Sequence, residues 1–162
     1  AIESISTVRQ RFFGYCTAMV DHGLKVDPDY TVFGLRDQKK YIVQKYSRMD
    51  FLKPVLERLL EKGVTAIIAE NDYIAVWVQN TLLDMGIKIP QDISIVGFDN
   101  LDILEQVGIM LTTVEQNFYE IGRAAADTVI EMIENKERKQ IKTIVPVKLI
   151  IRESVGPCKI LL

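Results

Sequence analysis

An α/β fold with a largely parallel sheet is the class this sequence predicts, on three observations. Helical and strand-like apolar periods alternate along the chain. One stretch, VTAIIAENDYIAVWVQNTLLDMGIKIPQDISIVGFDN (Val64–Asn100), runs strand, polar turn, helix, loop, strand and second polar turn, which is one βαβ unit. Glycine, proline and polar residues stand where those elements should end.

The elements follow in order. Ser4–His22 reads as an amphipathic helix, with Val8, Phe12, Tyr15, Cys16 and Met19 on one face, Ser4 or Ser6 as cap and Gly23 past its end. Arg9 and Arg11 lie in its first half, off that stripe. Leu24–Asp29 is a loop and Tyr30–Gly34 a short strand. Leu35–Asp50 is polar and mixed, and a helix is expected there. Phe51–Lys62 is helical with Leu52, Val55, Leu56, Leu59 and Leu60 inward; Pro54 fits only its first turn, where a missing N–H costs nothing. Gly63 stops it.

In the central unit, Thr65–Ala69 is the first strand and Ile74–Met85 the helix, with Ile74, Val78, Leu82 and Met85 on one face. Asp72 is the expected cap, its carboxylate accepting from free first-turn N–H groups. Gly86 closes the helix in a left-handed conformation, and Ile93–Phe98 is the second strand, parallel to the first through a right-handed crossover. Leu101–Met110 has no clean period, and Leu111–Val114 is a further apolar run. Asn117 followed by Glu120 is a capping-box pattern opening the helix Phe118–Glu134, whose buried face should be Phe118, Ile121, Ala125, Val129, Met132 and Ile133. Thr143–Ile151 is a last strand, placed at an edge or bulge by Pro146.

Composition narrows the function. The 162 residues suffice for one ordinary domain, 48% are apolar and 26% charged, and 20 Lys plus Arg against 22 Asp plus Glu leave a net charge of −2. Such a balance argues against direct nucleic-acid binding; the most basic window, Lys136–Lys142, reads as a solvated helix end. No apolar run is long enough to span a bilayer. Cys16 and Cys158 form no metal spacing or CxxC motif and fit a reducing cytoplasm. His22 is the single histidine, so triads and histidine-based metal sites are excluded within these residues. There is no GxSxG, Walker or GxGxxG pattern. The expectation is a protein that is not an enzyme and needs neither metal nor cofactor.

Two polar clusters, Glu70-Asn71-Asp72 and Asp99-Asn100, fall at the carboxyl ends of parallel strands, where open α/β sheets bind ligands. Asn71, Asp99 and an early arginine suit a neutral polyol, whose hydroxyls both donate and accept. On the residues alone the alternative stays open that Asn71 and Asp72 only cap a helix and Asp99 only shapes a turn.

Five segments carry a family resemblance: TVRQRFFGY (Thr7–Tyr15), TAIIAENDYIAV (Thr65–Val76), GIKIPQDISIVGFDN (Gly86–Asn100), LTTVEQNFYEIGRAAADTVIEMI (Leu111–Ile133) and PVKLIIRES (Pro146–Ser154). In this order and spacing the chain resembles bacterial repressors of the lactose/galactose repressor (LacI/GalR) family, outside roughly Leu35–Asp50. The segments around GFDNLDI and LTTVEQNFYEIG look closest to arabinose-type repressors, which join this module to a different winged head. The resemblance implies a type I periplasmic-binding-protein-like fold, a parallel sheet flanked by helices, with a sugar such as a pentose held between two subdomains. Residues 1–115 correspond mostly to the C-terminal subdomain, and residues 116–162 to the closing helix and strand shared with an N-terminal subdomain. Arg11, Asn71 and Asp99 fall where the family holds ligand hydroxyls, Phe98 beside the ligand and Gln116 near the crossover. The resemblance also implies a cytoplasmic homodimer that reaches operator DNA only through an N-terminal domain absent from this sequence. Tyr73, Trp77, Leu101, Ile103 and Leu104 form the expected dimer patch. A periplasmic sugar-binding protein of a transporter, which shares the fold, is the alternative.

Overall fold

The computed structural model describes residues 6–33, 51–135 and 141–158. The helix expected over Leu35–Asp50 and most of the basic Lys136–Lys142 window lie outside them. Helix α1 spans Ser6–Asp21, and the five residues expected on its apolar face are each half-buried. The strand expected over Tyr30–Gly34 is not formed in its described part. Pro28–Tyr30 is instead one 3-10 turn, because Pro28 presets the backbone and the Asp27 carboxylate accepts from the Asp29 N–H at 2.8 Å. Lys62 pairs with Asp29 and lies 5.6 Å from the Tyr30 ring centroid, bracing this turn against the end of the next helix. The ammonium holds the Asp29 carboxyl below its ordinary value.

Helix α2 is Leu52–Glu61, with Leu52, Leu56 and Leu59 enclosed as their spacing demands. Strand β1 (Ala66–Ile68) leads into α3 (Asp72–Asp84), then β2 (Ser94–Asp99), a short α4 (Asp102–Gln106), β3 (Thr112–Glu115), α5 (Phe118–Glu134) and β4 (Lys148–Ile150). The sheet order is β1-β2-β3-β4; the first two pairings are parallel and the third antiparallel. The βαβ unit is thus present, and Gly86 ends α3 at φ +78°, a conformation that side chains resist. β4 is the edge strand that Pro146 implied, only shorter.

The core lies on one face of the sheet. Leu52, Leu56 and Leu59 of α2 and Ile74, Ala75, Val78 and Leu82 of α3 close over Ile93, Ile95 and Leu111. The register pairs Gly97 with Thr113, so both face that same layer. One expectation fails: α5 contains no buried residue, and Val129 and Ile133 are 55% and 71% exposed. Periodicity tells which residues share a face; it does not supply an element to cover that face.

Candidate functional site

The carboxyl ends of β1 and β2 meet at one sheet edge, and α1 brings its arginine there. Arg11 Nη1 donates to the Glu70 carbonyl at 2.6 Å, and Nη2 donates to Asp99 Oδ1 at 3.3 Å. The guanidinium carbon lies 3.7 Å from the centroid of the Phe98 ring, an attractive stacking of cation on π-face. Gln116, just past β3, donates from Nε2 to the same Asp99 oxygen at 2.6 Å. Four of the five expected ligand residues are therefore in mutual contact. They come from α1, β2 and the loop after β3, with up to 88 residues between partners.

Asn71, the fifth, adjoins Glu70, whose carbonyl holds Arg11. It is also the true cap of α3: its Oδ1 accepts from the Ile74 N–H at 3.0 Å. The expectation that Asp72 caps this helix is corrected. Asp72 is fully buried and turned onto the sheet, where Oδ1 accepts from the Thr113 hydroxyl at 2.6 Å and Oδ2 from the Leu101 N–H at 2.9 Å. The two adjacent side chains diverge because Asn71 keeps the extended backbone of a cap (φ −155°, ψ 172°) while Asp72 is the first helical residue.

The chemistry left over is mixed. Arg11 has five N–H donors and commits two. Among the described residues, Asp99 Oδ2 and Gln116 Oε1 remain as acceptors and Asn71 Nδ2 as a donor. The Arg11 and Asp99 side chains are 23% and 21% exposed, reachable from solvent yet partly sheltered. This is an array of donors and acceptors around an internally neutralised ion pair, suited to an uncharged ligand with several hydroxyls.

The turn after β2 is strained. Asp99 has φ 122° and Asn100 φ 53°, positions that cost roughly 1–3 kcal/mol each and persist only where the surroundings enforce them. The Asn100 side chain is held on both sides: Nδ2 donates to Glu115 Oε1 at 3.1 Å, and Oδ1 accepts from Arg152 Nη2 at 2.8 Å. Arg152 also donates to the Leu111 carbonyl at 2.9 Å and pairs with Glu105. Sequence reasoning missed Arg152 altogether. Asn100 carried a signal, since asparagine tolerates the left-handed region better than most residues.

The expected dimer residues are scattered. Tyr73 and Ile103 are exposed, at 58% and 49%, whereas Trp77 and Leu101 are half-buried against the core and Leu104 is inside it. Leu104 is therefore not on the surface of this chain.

The family model described as the periplasmic binding protein-like domain matches residues 4–155. The probable HTH-type transcriptional repressor ExuR of Bacillus subtilis is 27% identical over 156 residues, covering 95% of this chain and 44% of that protein. Among solved structures, the transcription regulator CcpA of Lactococcus lactis superposes with a TM-score of 0.71 at 24% identity, covering 91% of this chain and 51% of its own. That likeness speaks to the fold alone. A LacI family transcriptional regulator from Enterococcus faecalis, with bound ribose, superposes with a TM-score of 0.61 at 27% identity, covering 94% of this chain and 51% of that one. The chain spans less than half the length of the curated relatives it matches.

Proposed function

Because the chain belongs to the periplasmic binding protein-like domain family, we propose that it is the effector-sensing and dimerisation portion of a bacterial transcription repressor of the LacI/GalR kind. The observation that carries this reading is the Arg11–Asp99–Gln116–Phe98 cluster at the strand ends, with Asn71 beside it. Arg11 already has its counter-charge in Asp99, so an acidic or phosphorylated sugar would bring a negative charge that the cluster has no further cation to offset, while a neutral pentose or hexose would not. Residues 1–115 form mostly one wall of the cleft; the closing segment 116–162 belongs in part with a second subdomain. Ligand draws the two walls together and so biases a dimer between two states, which changes the fit of a separate DNA-binding domain to its operator. Tyr73 and Ile103 are the exposed members of the dimer patch, with Trp77 and Leu101 at its base. The protein acts in the cytoplasm and catalyses no reaction. No helix among the described residues is long and apolar enough to cross a membrane, and the relatives named above are regulators rather than transport proteins.

A thermal-shift screen of neutral pentoses, hexoses and their uronic acids tests this, on the 162-residue chain and on a longer one carrying a second subdomain. Neutral sugar at a hundred times its dissociation constant should stabilise the responding chain by about 2.7 kcal/mol. Asp99→Ala or Asn71→Ala should abolish the response. A preference for the uronic acids, or silence from every sugar, would overturn the neutral-polyol assignment.

A further inference from the structure

Asp72 has no cap to make, since Asn71 makes it, and a buried carboxylate needs a reason to be retained. Its two oxygens are spent on the turn that follows β2. Oδ2 accepts directly from the Leu101 N–H, and Oδ1 accepts from the Thr113 hydroxyl, whose oxygen in turn receives the Asn100 N–H at 3.4 Å. Two consecutive amides of the strained Asp99–Asn100–Leu101 segment are thus tied, one directly and one through Thr113, to a single carboxylate. The sheet is shaped to admit it: a Cβ on Gly97 would come within 2.2 Å of Asp72 Oδ1. Among the described residues no cation pairs with Asp72, and its hydrogen-bond donors are the Leu101 N–H of this turn and the Thr113 hydroxyl of β3.

We propose that Asp72 is a positioning residue for the ligand site. Through Leu101 and Thr113 it clamps the turn in its left-handed conformation and thereby aims the Asp99 carboxylate at Arg11 and at the ligand. The proposal rests on the ligand reading above only for its functional consequence; the clamp itself is testable without a ligand.

Nuclear magnetic resonance on the 162-residue chain provides the test, reading amide exchange at Asn100 and Leu101 and the Arg11 Nε–H signal, with D-ribose titrated into each variant. Asp72→Ala should speed exchange at Leu101 and Asn100 at least tenfold relative to Ile95, shift the Arg11 signal, and weaken ribose binding at least tenfold. Thr113→Val, nearly isosteric, should reproduce the Asn100 and Arg11 effects should the alanine variant fail to fold. Asp72→Asn keeps an acceptor for Leu101 and a partner for Thr113, and should restore the exchange rates and the Arg11 signal. A general packing defect would instead raise exchange at Ile95 equally and would leave Arg11 where it was. Unchanged Leu101 exchange and an unchanged Arg11 signal in Asp72→Ala, or in Thr113→Val unchanged Asn100 exchange and Arg11, would overturn the clamp. If the parent chain ignores ribose, the ligand reading suffers alone, and the clamp is decided by the exchange and Arg11 data.

Discussion

In α3, Ala75 and Leu82 are fully enclosed, whereas in α5 Val129, Ile130 and Ile133 are each more than half exposed. Both helices carry apolar residues at helical spacing, and an asparagine caps each one, accepting from the N–H three residues on. The difference is in what lies alongside. α3 has β2 on one side and α2 on another, so its stripe becomes core. Nothing among the described residues encloses a side chain of α5. Fully burying one large aliphatic side chain is worth about 1.5–3 kcal/mol, and α5 collects little of this here. A capped, amphipathic helix is thus a statement about local chain geometry, and its contribution to stability is decided by its neighbours. Under the function proposed above, a second subdomain provides the cover that α5 does not receive from the described residues.

The largest test of this contrast is a pair of truncations. Leu82→Ala should lower unfolding stability by about 2–5 kcal/mol, through lost transfer energy and a residual cavity. Ile133→Ala should stay within about 0.5 kcal/mol, as for exposed positions generally. Urea denaturation of both variants checks it, and equal losses would break the distinction between the two regions.

Two glycines sharpen it at smaller scale. A Cβ at Gly97 would meet Asp72 Oδ1 at 2.2 Å and Leu111 Cδ2 at 2.8 Å, while one at Gly14 in α1 would meet nothing within 4 Å. Gly97→Ala should therefore cost about 1–3 kcal/mol from overpacking, and Gly14→Ala should gain about 0.5–1 kcal/mol by limiting the unfolded chain. Opposite shifts in the urea midpoint are the expected result.

The smallest effect belongs to the Lys62–Asp29 pair at the periphery. Lys62 depresses the folded-state value of Asp29 below 3.8, so the pair's contribution is present above that pH and disappears as pH falls through the lowered value. Lys62→Met should show a slightly lower melting temperature than the parent at pH 6, and the gap should close as pH falls through the lowered value of Asp29. A gap that persisted in acid would assign the effect of Lys62 to its contact with Tyr30 instead.

Much of the fold was legible because its signals are short-range. The spacing of Leu52, Leu56 and Leu59, the glycine at 86 and the apolar run ending at Phe98 each act within a few residues. The central βαβ unit follows from their order. The residue types of the candidate site were legible too, at the strand ends where α/β sheets place ligands.

The class of fold, the order of the elements and the polar residues that stand at the sheet edge can all be read from the chain alone. The task each polar residue performs was set by the packing of distant segments. That packing made Asn71 the cap and sent Asp72 inward, set Arg11 on Phe98 and Asp99, drew Arg152 onto Asn100, and left no residue of α5 buried among the described residues. The physical reason is one of range. A helical period or a left-handed turn is enforced by neighbouring residues, whereas a carboxylate's role depends on the donor that reaches it, and here those donors come from 17 to 88 residues away.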